Sequence, residues 1–137
     1  MSIGLPHTRA AIPYAERMHD GQRRGDGTPF IQHPLEVAEL LYHAGAADDL
    51  IAAGVLHDVI EKSNVSASEL RKGFGPGIAG LVLAVTDDEQ IAGYANRKAA
   101  LRQQVAAAGG DALTLFAADK LSKLRARVGG EGAMPRS

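Results

Sequence analysis

The sequence contains no cysteine. Disulfides, thiolate nucleophiles and cysteine-ligated zinc are excluded, so any metal site must be built from histidine and carboxylate. It has no tryptophan, and aromatic residues make up only 4% of it, so Ala, Leu, Ile and Val must fill the core. That composition suits closely packed helices. Positive charge is not in excess: the formal net charge is -1, too little to hold a nucleic-acid polymer. No apolar stretch is long enough to span a bilayer. The first residues, MSIGLPHTRAAIPYAERMHD, carry an early His and Arg and no continuous apolar run, so they do not read as a signal peptide. The expected location is cytoplasmic, with no membrane partner; oligomeric state stays open.

What is present is 137 residues, 45% hydrophobic and 23% charged, the size and balance of one globular domain. Helix signals dominate and strand alternation is nearly missing, so the predicted fold class is all-α, a single helical bundle. Thr8 is the expected cap of a first helix reaching about His19, with Ile12, Ala15 and Met18 at helical spacing. Gly21 to Pro34 reads as a loop dense in Gly, Pro and charge. Pro34 suits the first turn of a second helix, which Gly45 ends. Asp48 is the expected cap of a third, DLIAAGVLHDVIEK, apolar nearly all round and so placed at the centre. Ser66 and Glu69 form a capping box, and Gly73 to Gly77 breaks the chain. Further helices are expected over Ile78–Val85, over Ala92–Ala108, and from an Asp111 cap onward. Residues 129–137, GGEGAMPRS, read as a disordered tail after a domain of residues 1–128.

Chemistry enters with His57-Asp58, set inside the most apolar stretch of the chain. A buried carboxylate costs several kcal/mol unless it is paired or ligated. Taken alone, a buried His–Asp hydrogen bond accounts for the pair. Asp119 repeats the pattern within LTLFAADKL, where Lys120, as an adjacent helix residue, is a poor partner. His33 sits at a restrained loop-to-helix junction before Pro34 and, alone, could merely brace it. Together, His33, His57, Asp58 and Asp119 make a ligand set for one divalent cation such as Mn²⁺, Fe²⁺ or Zn²⁺. Such an ion lowers the pKa of bound water and neutralises phosphate charge. Glu61, four residues after His57, is either a general base for that water or an exposed helix-end carboxylate. Of the other histidines, only His19 lies beside the loop that leads to the site. Arg23, Arg24, Arg97, Lys98 and Lys123 are either a solvated surface or phosphate contacts. Arg23 and Arg24, in the Gly-rich loop before His33, are the favoured contacts.

The runs HDGQRRGDGTPFIQHPLEVAELL, IAAGVLHDVIEKS, FGPGIAGLVLAVTDD, NRK and FAADKLSKLRA occur in this order between about Tyr14 and Arg125. They resemble the HD-type hydrolase domain of RelA/SpoT-type enzymes, and most of all the stand-alone small alarmone hydrolases such as metazoan SpoT homologues. The resemblance implies an Mn²⁺-dependent phosphohydrolase whose metal ligands fall on His33, His57, Asp58 and Asp119. It implies removal of the 3′-pyrophosphate of guanosine tetra- and pentaphosphate. The catalytic carboxylate pair falls on Glu61 and Lys62, so the second position carries a Lys. The family's Arg that packs on the base falls on Arg24, and Arg23, Arg97 and Lys123 join it as candidate substrate contacts. Departures gather on the nucleotide side, at Gly25, Lys123 and Ala126. Two alternatives accompany them: an HD phosphohydrolase for another nucleotide or phosphoester, and a catalytically weak nucleotide-binding regulatory domain.

Overall fold

Seven helices follow one another in the computed structural model, which describes residues 4–133. They are α1 Pro6–Met18, α2 Gln32–His43, α3 Asp48–Leu56, α4 Val59–Ser63, α5 Ala67–Ala84, α6 Tyr94–Ala108 and α7 Gly110–Ala133. Among the described residues no strand forms; Arg23 and Pro29 make one isolated bridge across the loop between α1 and α2. The all-α expectation holds.

α3 is the axle. Every residue from Leu50 to Leu56 is buried, and α1, α2, α5 and α7 all pack against it. A helix apolar on all sides is stable only when surrounded in this way. Gly54 sets how closely α2 approaches: a Cβ there would meet Leu41 Cδ1 at 2.7 Å and Val37 Cγ1 at 3.3 Å. Leu101, Val105 and Ala112 form a smaller cluster that fastens α6 to α7.

Several boundaries depart from the sequence reading. Thr8 does not cap α1, which begins two residues earlier with Pro6 in its first turn. The cap comes from Asp48, whose carboxylate accepts the N–H groups of His7 (2.8 Å) and Thr8 (2.9 Å) and the Thr8 hydroxyl (2.7 Å). A carboxylate is a better partner than a hydroxyl for the positive end of a helix dipole. Asp48 is accordingly the first residue of α3 rather than its cap, which is Ala47. The expected single helix from Asp48 to Lys62 is two, interrupted at His57-Asp58. α6 starts at Tyr94, after Gly93, rather than at Ala92, and α7 starts at Gly110 with Asp111 in its first turn rather than capping it. α7 continues through Gly129 and Gly130 to Ala133, where a tail was expected; residues 134–137 lie outside the described residues. Glycine weakens an exposed helix by about 1 kcal/mol without forbidding it.

Other expectations are met. The Ser66–Glu69 capping box is reciprocal. Gly45 ends α2, its N–H bonded to the Tyr42 carbonyl while Ala46 N–H reaches Leu41. The break in the middle of α5 falls at Gly75, with φ +90° ahead of Pro76.

Candidate metal centre and active site

His33 is the second residue of α2, held between the Phe30 carbonyl, which accepts its N–H, and Pro34. His57 and Asp58 occupy the break between α3 and α4. Neighbours on an unbroken helix point about 100° apart. The break, with Asp58 at φ −105° and ψ 0°, instead brings both side chains to one point, Asp58 Oδ2 lying 3.1 Å from His57 Nε2. α7 supplies Asp119 from the opposite side. Its Oδ1 stands 2.9 Å from His33 Nε2 and 3.0 Å from His57 Nε2. All four side chains are buried, and one ligand atom from each falls within 4.8 Å of every other. The sequence-predicted quartet therefore converges.

The outer hydrogen bonds determine how this quartet is used. His57 Nδ1 lies 2.7 Å from the Gly54 carbonyl, which can only accept, so Nδ1 carries the proton. Ser122 donates its hydroxyl to Glu36 Oε1 (2.6 Å) and so accepts from His33 Nδ1 at 3.0 Å. A neutral imidazole at either position would therefore turn a bare Nε2 lone pair toward the carboxylate oxygens. Acceptor facing acceptor at about 3 Å is repulsive unless a cation or a proton lies between them. Such outer contacts, fixing the tautomer so that Nε2 faces inward, are the usual support of a metal-binding histidine.

Electrostatics tell the same story. Burial disfavours the charged form of His57, but Asp58 and Asp119 outweigh it and raise its pKa to about 10. Burial would raise the Asp58 carboxyl, and His57 and His33 draw it down to about 2. For Asp119, burial is likewise overcome by the hydrogen bonds of His33 and His57 and by Lys123, which hold it well below the carboxylate range. Lys123 Nζ lies 3.1 Å from Asp119 Oδ2, whereas the adjacent Lys120 is 3.9 Å away.

His33 and Asp58 form part of the wall of a cavity of about 720 Å³. Arg23, Arg24, Lys62, Lys98 and Lys123 bring positive charge to it, and Gly25 lies on its rim. Arg23 also donates to the Gly27 carbonyl (3.2 Å). Glu61 lines the same cavity, and its Oε1 accepts the Asp87 N–H at 2.8 Å. Burial raises the Glu61 pKa, helped by the charges of Asp58 and Asp87 and opposed by that N–H. The break before α4 alters the expected reason for Glu61's placement, since His57 is not on its helix. Lys62 is exposed, its ammonium 5.9 Å from the centre of the Phe30 ring.

Arg97 does not line the cavity; its guanidinium lies over Tyr94. The next residue, Lys98, takes the place, paired to Asp87 at 2.8 Å. The NRK run pointed at this turn of α6, but which of two adjacent cations faces inward depends on how α6 is rotated against its neighbours. Asp87 was missed because Thr86-Asp87-Asp88 reads only as a helix ending. Gln22 was missed as well. It bonds His19 Nδ1 (2.8 Å) through Oε1 and the Lys62 carbonyl (2.7 Å) through Nε2, tying the arginine-bearing loop to α4. His19 is thus a buried brace beneath this loop, its ring tilted 53° against that of Phe30.

The helical bundle thus buries a cluster of two histidines and two aspartates that could hold one metal ion, and His33 and Asp58 of that cluster line a cationic cavity. The model of the HD domain family matches residues 11–127, and the chain belongs to that family. Human guanosine-3′,5′-bis(diphosphate) 3′-pyrophosphohydrolase MESH1 is 35% identical over 119 residues, 84% of this chain and 66% of the relative. Its Danio rerio counterpart is 39% identical over 121 residues, 83% of this chain and 65% of that protein. A GTP pyrophosphokinase of Streptomyces coelicolor is 36% identical over 88% of this chain, which spans 15% of that protein. The chain thus spans about two thirds of the length of the metazoan relatives. A solved metazoan orthologue of SpoT, described as hydrolysing ppGpp, superposes with a TM-score of 0.79 at 32% identity, over 87% of this chain and 68% of the other. The resemblance to RelA/SpoT-type hydrolases read from the sequence is borne out.

Proposed function

We propose that this chain is a metal-dependent pyrophosphohydrolase that removes the 3′-pyrophosphate of guanosine 3′,5′-bis(diphosphate), with Mn²⁺ held by His33, His57, Asp58 and Asp119. The observation that carries the reading is the pair of imidazole Nε2 lone pairs turned onto Asp119 Oδ1, an arrangement a divalent cation completes. The donor set, two nitrogens and two carboxylates, suits Mn²⁺ as well as Fe²⁺ or Zn²⁺. When bound, the cation supplies an acidified water and neutralises phosphate charge.

The chain's own residues do the rest. Glu61, held by the Asp87 N–H and made more basic than an exposed glutamate by burial, takes a proton from the attacking water in its ionised form. Water adds at the phosphorus bonded to the 3′ oxygen, that bond breaks, and a 3′-hydroxyl and pyrophosphate result. Arg23, Arg24, Lys98 and Lys123 bind the phosphates, whose negative charges need cations in a cavity also lined by Asp58, Glu61 and Asp87. A cytoplasmic location agrees with this substrate; no helix among the described residues is long and apolar enough to cross a membrane.

Lys62 favours a second reading, because a cation on the cavity wall beside Glu61 attracts phosphate but accepts no proton. In that reading the chain acts on another phosphoester or binds nucleotide without rapid turnover. Incubating the purified protein with Mn²⁺ and a nucleotide panel separates the two. Pyrophosphate released from guanosine tetraphosphate supports the first reading. Turnover confined to other esters, or tight binding without turnover, supports the second.

A further inference from the structure

The back of α7 is apolar where a surface helix should be polar. Leu115, Ala118 and Ser122 face the core, whereas Ala117, Leu121, Leu124 and Val128 face outward. Leu121 is 45% exposed, Leu124 52% and Val128 61%, and Leu113, 49% exposed, extends the strip by a turn. A contiguous exposed apolar patch on one helix face is the mark of an interaction site. The steps between Ala117, Leu121, Leu124 and Val128 are four, three and four residues, the spacing of a coiled-coil seam. The positions flanking such a seam set partner choice. Here they are Lys120 and Arg127 on one side and Arg125 on the other, all exposed.

That charge pattern selects the occupant. Pairing two copies of this chain along the seam, parallel or antiparallel, would set Lys120, Arg125 and Arg127 against one another. Like charges across a helix seam disfavour the pair. We propose that the outer face of α7 docks an amphipathic helix of another protein, with an apolar seam of heptad spacing and glutamate or aspartate at the flanking positions. The surface lies on the face of α7 opposite the one that carries Asp119 and Ser122 to the metal centre, so docking leaves the cavity open.

The probe is a three-heptad peptide with Leu along the seam and Glu at the flanking positions, labelled for fluorescence anisotropy and titrated with the full chain. Its twin carries Lys at the flanking positions. Binding of the acidic peptide, weakened at high salt and about tenfold or more tighter than that of the basic twin, is expected. The double variant Leu121→Lys, Leu124→Lys should weaken it at least as much, with helical circular dichroism and Mn²⁺ uptake unchanged. Both residues are exposed, so folding should survive; an unfolded double variant would be replaced by Leu124→Gln alone. Failure of the acidic peptide to bind, or equal binding of both peptides, overturns the proposal. So does a dimer of the unmodified chain by light scattering that Leu124→Lys converts to monomer, which would give the face to a second copy.

Discussion

His57 Nε2 lies 3.0 Å from Asp119 Oδ1, although 62 residues separate them in the chain. The relationship is stable only with positive charge at the centre of the cluster, supplied by a cation or by a proton on His57. In the metal-free protein the proton serves, and the His57 pKa is raised from the usual 6.5 to about 10. A group whose pKa is raised on folding stabilises the fold fully below its unfolded value, and that stability is lost as pH rises through the folded value. The melting temperature in chelator is therefore expected to fall between about pH 6.5 and pH 10. With Mn²⁺ present the fall should vanish, because the cation replaces the proton. Coincident profiles with and without chelator would remove the metal from the centre.

Asp119→Asn retains the shape of the side chain but removes the charge that both histidines face. It is expected to abolish Mn²⁺ uptake, read by metal analysis after dialysis, and turnover with it. Retention of one ion per chain would mean that the other three residues suffice.

Glu61→Gln should lower turnover about 10²-fold with metal content unchanged. The carboxylate must be ionised to accept a proton and its pKa is raised, so the acid limb of the kcat profile should sit above the ordinary glutamate value of 4.5. Asp87→Asn removes one of the charges responsible and is expected to move that limb to lower pH. Full turnover in Glu61→Gln at full occupancy would take Glu61 out of the mechanism.

Lys62→Asp tests the charge beside Glu61. Restoring a carboxylate there is expected to raise the rate on guanosine tetraphosphate, measured as pyrophosphate release with Mn²⁺. A slower variant would make Lys62 an adapted substrate-binding or catalytic residue.

Asp48→Asn weakens the link between α1 and α3 without touching the site. It should cost about 1 kcal/mol in urea unfolding, as loss of a helix cap does. Burial raises the Asp48 carboxyl, but the Thr8 hydroxyl and the N–H groups of Thr8 and His7 outweigh it and lower its pKa. The contribution is thus present above the ordinary value of 3.8 and fades as pH falls below it. Equal stability of the two proteins at neutral pH would refute the cap.

The amino-acid sequence by itself determined the all-α class, the buried position of α3 and the four residues of the His/Asp cluster. An apolar run shows that its surroundings are dry, and a carboxylate inside such a run demands a counter-charge wherever the chain places it. The capping box and the glycine stops were equally legible, because they are made by residues three to five apart. Only tertiary structure decided the rest. His57 and Asp58 face one point because the helix breaks between α3 and α4, and that break places them opposite His33 and Asp119, which come from other helices. Asp48 caps a helix 40 residues away, a role invisible in its local sequence. Lys98 rather than Arg97 reaches the cavity because the rotation of α6 is set by the packing of Leu101 and Val105 against α7. Local signals report what a residue needs; which partner meets the need is settled by how the helices pack.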